Sequence, residues 1–131
     1  MDKNPPNILG VHIEDVVLSG HKNTAACLAK LEKLQREYPD GGVIIAKVGM
    51  SNSLGPVLSS HCNWPVIGVP ASCDKFPEDV WSSLRLPSKN PMATILSEKN
   101  AMHMALNILA QVNPAAYVHV QHGMEQFDTG Y

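Results

Sequence analysis

His21 lies in the turn Ser19-Gly20-His21-Lys22, directly after the apolar run 11–18 (VHIEDVVL). A histidine in such a place can carry a proton to or from a substrate. Ser19 adds a hydroxyl, and Lys22 adds a compact cation of the kind that suits a phosphate. The same four residues would also make an ordinary polar surface turn. A second loop runs from Gly49 to Pro56 (GMSNSLGP). Gly49 and Gly55 would let backbone approach a ligand closely. Ser51, Asn52 and Ser53 offer donors and acceptors, and asparagine tolerates left-handed geometry. This loop is not the G-x-S-x-G elbow of a hydrolase, and a plain turn before a helix would read the same. A third string, Asp79 to Ser88 (DVWSSLRLPS), carries Ser82, Ser83 and Arg85. Arg85 could hold a carboxylate or phosphate bidentately. The residues alone favour a structural bridge from Arg85 to Asp79 or Glu78.

Alternating strands and helices must position these loops. The run 11–18 reads as a strand with β-branched residues towards its end. Thr24 then caps a helix over 25–38, with Leu28, Leu31 and Leu34 on one face. Pro39, Asp40, Gly41 and Gly42 end that helix. Residues 43–48 (VIIAKV) form a short strand of the kind covered on both faces. The segment 51–62 begins as a loop and becomes a short helix. A strand follows at 66–69, a loop at 70–77, a short helix at 78–84 and a last strand at 93–96. Ser97 caps a helix from Glu98 to about Val112. Residues 113–131 show no strong period and read as a tail that packs on a partner. The alternation predicts an α/β fold with a parallel sheet. The expected organisation is a flexible arm at 1–10, one domain over 11–112 and the C-terminal tail at 113–131.

Composition narrows the function classes. The chain has 131 residues, 17% of them charged, and a net charge of −2. There is no basic stripe, so nucleic acid is not an expected partner. No apolar run reaches the roughly 20 residues of a membrane helix. The first ten residues lack a signal-peptide layout, and a cytoplasmic location is expected. Cys27, Cys62 and Cys73 make an odd count without a CxxC, which argues against a disulfide framework. They fit small packed residues better than thiol nucleophiles. The six histidines form no zinc-binding pair. Trp64 and Trp81 read as core or interface aromatics, and His103 as a packed histidine beside Met102 and Met104.

Taken together the strings have a family look. Ser19 to Lys22, Val48 to Ser59 (VGMSNSLGPVLS), Pro77 to Ser88 (PEDVWSSLRLPS) and Ala93 to Ala101 (ATILSEKNA) occur in the order found in AIR carboxylases of the PurE type. They resemble the class II form, like the carboxylase domain of animal bifunctional proteins. The resemblance covers about 11–112. It implies a three-layer α/β/α, flavodoxin-like domain assembled as a homo-octamer with sites at subunit junctions. It implies carboxylation of aminoimidazole ribonucleotide by CO2 in purine biosynthesis, without biotin, ATP or metal, so no cofactor is expected. By resemblance His21 is the catalytic proton shuttle at the imidazole carbon. Ser19 and Lys22 lie by the ribonucleotide, Ser51, Asn52 and Ser53 help to hold CO2, and Gly49 and Arg85 complete the binding set.

Four departures from the family pattern stand out. The family's first strand, its Gly-Ser-x-Ser-Asp phosphate loop and the following helix have no counterpart before Val11. Met50 stands in place of an arginine, Ser53 in place of a glycine, and Gly20 in place of an alanine. Without the usual central strand, the run 11–18 must pair with 43–48, borrow a strand from a partner or sit outside the sheet. The expected function is therefore a short AIR carboxylase. The alternative is a catalytically impaired relative that binds nucleotide or serves in regulation and assembly.

Overall fold

The structure, a computed structural model, describes residues 10–130, with side chains through Met124. The arm expected at 1–10 lies outside the described residues except for Gly10. The chain falls into two compact units, one of residues 18–102 and one formed by the two terminal segments.

The larger unit holds a three-stranded parallel sheet in the order β1-β2-β3, as the strand–helix alternation predicts. The strands are β1 (Ile44–Val48), β2 (Val66–Pro70) and β3 (Met92–Thr94). Ile44 pairs with Val66 and Val66 with Met92. Because side chains alternate along a strand, Ile44, Ala46, Val48, Val66 and Met92 share one face. Ile45, Lys47, Ile67 and Val69 share the other. Two helices cover the first face, α1 (Thr24–Glu37) and α2 (Leu54–His61). Leu31 of α1 and Leu58 of α2 meet Ala46, Val48 and Val66 in the core. The central strand β2 is buried along its whole length. Ile67 is 1% exposed. Ile67→Ala should cost about 2–5 kcal/mol, read as a lower denaturant midpoint with an unchanged slope.

Local chemistry explains the element ends. In α1, Cys27 and Leu31 are buried while Glu32–Arg36 and Lys33–Glu37 pair one turn apart on the exposed side. Asn23, not Thr24, is the N-cap residue, and Thr24 begins the helix. Its hydroxyl instead donates to the Gly20 carbonyl at 2.6 Å. After the helix, Gly41 takes a φ of +106°, which a glycine adopts freely. The segment expected as one helix over 78–84 is a 3-10 turn (Pro77–Val80) that runs into α3 (Trp81–Leu84). Ser97 caps α4 (Glu98–Ala110) as expected, accepting from the Asn100 amide at 3.2 Å.

Two expectations are corrected. Residues 11–18 form no sheet strand, and the segment sits outside the three-stranded sheet. Val17 is 96% exposed. β-branched residues make a strand only where a neighbour supplies the ladder and a packing surface, and among the described residues this segment has a single bridge, at Val11. The C-terminal segment read as an aperiodic tail carries a long helix, α5 (Pro114–Gly130). In the smaller unit Asn113 caps this helix, accepting from the amides of Ala115 and Ala116 at 3.0 and 3.3 Å. Its side-chain nitrogen donates to the Gly10 carbonyl at 3.0 Å. No helix among the described residues is long and apolar enough to cross a membrane.

Candidate functional site

A cleft opens in the larger unit, where β1 ends and its loop begins. Loops at the carboxyl ends of parallel strands are the usual ligand positions in such sheets. The cleft has a volume of about 240 Å³. Sites that enclose a whole ligand measure roughly 300–1,000 Å³, so this one suits one end of a ligand. His21 and Ser19 line it from one side, and Gly49, Asn52 and Ser53 from the other. Five residues singled out in the sequence are thus brought together. Lys22, Ser51 and Arg85 are not among the lining residues.

The His21 turn is held by its own neighbours. The Ser19 hydroxyl accepts from the Lys22 amide at 3.2 Å, and the Ser19 carbonyl accepts from the Asn23 amide at 2.7 Å. The Asn23 side chain returns a contact by accepting from the Ser19 amide at 3.3 Å. These bonds make a tight turn that delivers His21 immediately before α1.

Gly20 fixes how closely this turn approaches α2. A Cβ there would fall 2.6 Å from the Leu54 amide nitrogen and 2.7 Å from the Ser53 hydroxyl. Two of the departures from the family pattern are therefore in contact. A serine at 53 fills the space that a methyl group at 20 would need. The Ser53 hydroxyl does not cap α2 and, among the described residues, is buried without a hydrogen-bond partner. Gly20→Ala must push against Leu54 backbone, so the His21 turn has to move. We expect kcat/KM to fall by about tenfold or more, since an ångström of misplacement can cost ~100-fold, with circular dichroism unchanged.

The loop after β1 is held from below by the third string. Ser51 has a φ of +52°, a left-handed conformation unusual for a residue with a side chain. Its amide donates to Asp79 Oδ1 at 2.9 Å. The Asn52 amide donates to the Ser82 hydroxyl at 3.0 Å, and the Asn52 side-chain nitrogen to the Ser83 hydroxyl at 3.0 Å. Asn52 Oδ1 in turn accepts from the Gly55 amide at 3.2 Å, which ties the loop to the first turn of α2. Gly55 therefore serves internal packing, beneath Met92 and Asn52, rather than close approach to a ligand.

Arg85 does not form the expected bridge to Asp79 or Glu78. Its guanidinium stacks over the Trp81 ring, 4.8 Å from the centroid, a contact worth about 0.5–1 kcal/mol on an exposed surface. Asp79 is already engaged with Ser51 and Ser82. Burial pushes the Cys62 thiol above its ordinary value, and burial with Asp79 and Asp74 does the same for Cys73.

Residue reasoning missed Lys47 in the cleft and the clamping role of Asp79. Lys47 left a signal, as the one charged residue in an apolar strand just before a polar loop. Asp79 left none in its local pattern, because its bond spans 28 residues of chain.

The family model for AIR carboxylase matches residues 6–129. Among the curated relatives, the bifunctional phosphoribosylaminoimidazole carboxylase/phosphoribosylaminoimidazole succinocarboxamide synthetase of Rattus norvegicus is 39% identical over 108 residues, 79% of this chain and 24% of that protein. Its namesake in Drosophila melanogaster is 41% identical over 102 residues, 74% of this chain and 23% of that protein. The chain thus spans about a quarter of the length of these relatives. Among solved structures, PurE of Treponema denticola superposes with a TM-score of 0.75 at 27% identity, covering 86% of this chain and 71% of that one.

Proposed function

The chain belongs to the AIR carboxylase family, and on that premise we propose that it interconverts aminoimidazole ribonucleotide and CO2 with carboxyaminoimidazole ribonucleotide. The observation that carries this reading is the convergence of His21 and Ser19 with Gly49, Asn52 and Ser53 on one cleft. In the forward direction a carbon of the aminoimidazole ring attacks the carbon of CO2. The new C–C bond forms as one C=O pair moves to oxygen and gives the carboxylate. The hydrogen on that ring carbon then passes as a proton to His21, and the C–H electron pair restores the aromatic ring. In reverse, His21 returns the proton as the C–C bond breaks and CO2 leaves. General acid–base transfer of this kind contributes about 100- to 10,000-fold.

The remaining site residues position the reactants. Asn52 lines the cleft and is assigned to the CO2 end, while Ser53 lines it with its hydroxyl buried against Gly20 and supports the loop. Ser51 acts from behind, through the amide that Asp79 anchors. Ser19 lines the cleft and is assigned to the ribonucleotide. A cytoplasmic homo-oligomer is the setting this reading carries. The test is direct. Carboxyaminoimidazole ribonucleotide added to the purified chain should lose its ultraviolet signature with first-order kinetics as the decarboxylated nucleotide forms. Tight nucleotide binding by calorimetry with no turnover would overturn the reading.

A further inference from the structure

We propose that Lys47 is the anion-binding residue of the cleft and that Glu98 is the counter-charge it exchanges for the ligand. The inference deepens the reading of this cleft as a ribonucleotide site and rests on it for the choice of ligand.

Lys47 lies between Ala46 and Val48, whose side chains go into the core. Strand alternation sends the lysine to the opposite face of the sheet, and Lys47 is among the residues that line the cleft with His21 at the end of β1. Among the described residues no carboxylate lines the cleft, and no other lysine or arginine does. Lys22 lies outside the lining, and Arg85 is stacked on Trp81. Met50, which does line it, brings no charge where the family pattern has an arginine. Among the described lining residues, Lys47 is therefore the lysine or arginine that a bound anion meets.

The present partner of that cation is easily exchanged. Lys47 Nζ is 3.0 Å from Glu98 Oε2, with the two side chains 55% and 65% exposed. Exposed pairs of this kind contribute about 0–1 kcal/mol. Because this solvent-screened pair contributes so little, an anion held in the cleft by further contacts displaces Glu98 at small cost. Lysine is a normal phosphate ligand, acting as a point charge.

The ligand anion has two sources, the phosphate of the ribonucleotide and the carboxylate on the imidazole. Ribose 5-phosphate and imidazole-4-carboxylate separate them, each titrated into the full chain and followed by amide NMR shifts of residues 47–49. We expect saturable shifts with at least one probe, weakened about tenfold or more in Lys47→Met, the size implied by losing a charged hydrogen bond. Lys47→Arg should retain the binding, and Glu98→Gln should tighten it. Binding of the first probe alone assigns the phosphate, and of the second alone the carboxylate. Undiminished binding by Lys47→Met, weakened binding by Glu98→Gln, or no binding of either probe overturns the proposal. Because neither probe is turned over, these results stand apart from the outcome of the decarboxylation assay.

Discussion

His21→Asn is expected to lower turnover of carboxyaminoimidazole ribonucleotide by about 100- to 10,000-fold, the range of a lost general acid–base. Binding of the nucleotide should be nearly unchanged. Asparagine keeps a polar side chain of similar reach, so the cleft keeps its shape and polarity. It cannot accept and return a proton near neutral pH, which imidazole can. The loss should therefore fall on kcat, with KM little altered, the pattern of an interaction made only in the transition state. The turn makes this substitution well suited to the purpose. Its bonds run through Ser19, Lys22, Asn23, Gly20 and Thr24, and none of them uses the His21 side chain. A parallel fall in stability is not expected, and thermal unfolding checks that point.

Asp79→Ala is expected to have the next largest effect, a fall of roughly 10- to 100-fold in kcat/KM from displaced groups and a loss of about 1–3 kcal/mol for an amide left unpaired. Asp79 touches the loop from below and does not line the cleft. Its Oδ1 holds the amide of Ser51, whose left-handed backbone costs about 1–2 kcal/mol for a residue with a Cβ. Without that acceptor Ser51 can relax. Asn52 and Ser53 follow it, since they are the next two residues of the same loop. Asp79→Asn keeps an acceptor at the Oδ1 position and should restore most of the activity. Rescue by asparagine with failure of alanine separates a positioning role from a need for negative charge. The readout is kcat and KM for both variants beside their urea midpoints.

Much of this architecture was legible in the residues because its signals are local. The leucines of α1, the apolar strands at 44–48 and 66–70 and the Ser97 cap each announce themselves within a few positions. The four family strings carried the rest, since they fix which loops belong to one site. What was not legible depends on distant partners. The run 11–18 has strand chemistry but is no member of the three-stranded sheet, and strand propensity alone does not make a strand. Helix α5 was missed although Asn113-Pro114 is a start signal, with an asparagine cap followed by proline at the first helical position. The absence of a clear apolar period outweighed that signal in the reading.

The site shows the same division. His21, Ser19, Gly49, Asn52 and Ser53 were found as loop residues of suitable chemistry, and they share one cleft. Arg85 has the chemistry for an ion pair or for a substrate anion, and its guanidinium stacks on the nearby Trp81 ring. Gly20 and Ser53 looked like two separate departures from the family pattern. A Cβ at position 20 would fall 2.7 Å from the Ser53 hydroxyl, so the two make one packing arrangement, which no inspection of either position alone could reveal.

The most direct test of the central claim, that His21 moves the proton in this cleft, is a paired assay. Wild-type chain and His21→Asn, at equal concentration and shown to bind the nucleotide equally by calorimetry, are given carboxyaminoimidazole ribonucleotide and followed by ultraviolet absorbance. The account predicts steady conversion by the wild type and a rate reduced by about 100-fold or more in the variant. Equal rates in the two proteins would contradict it.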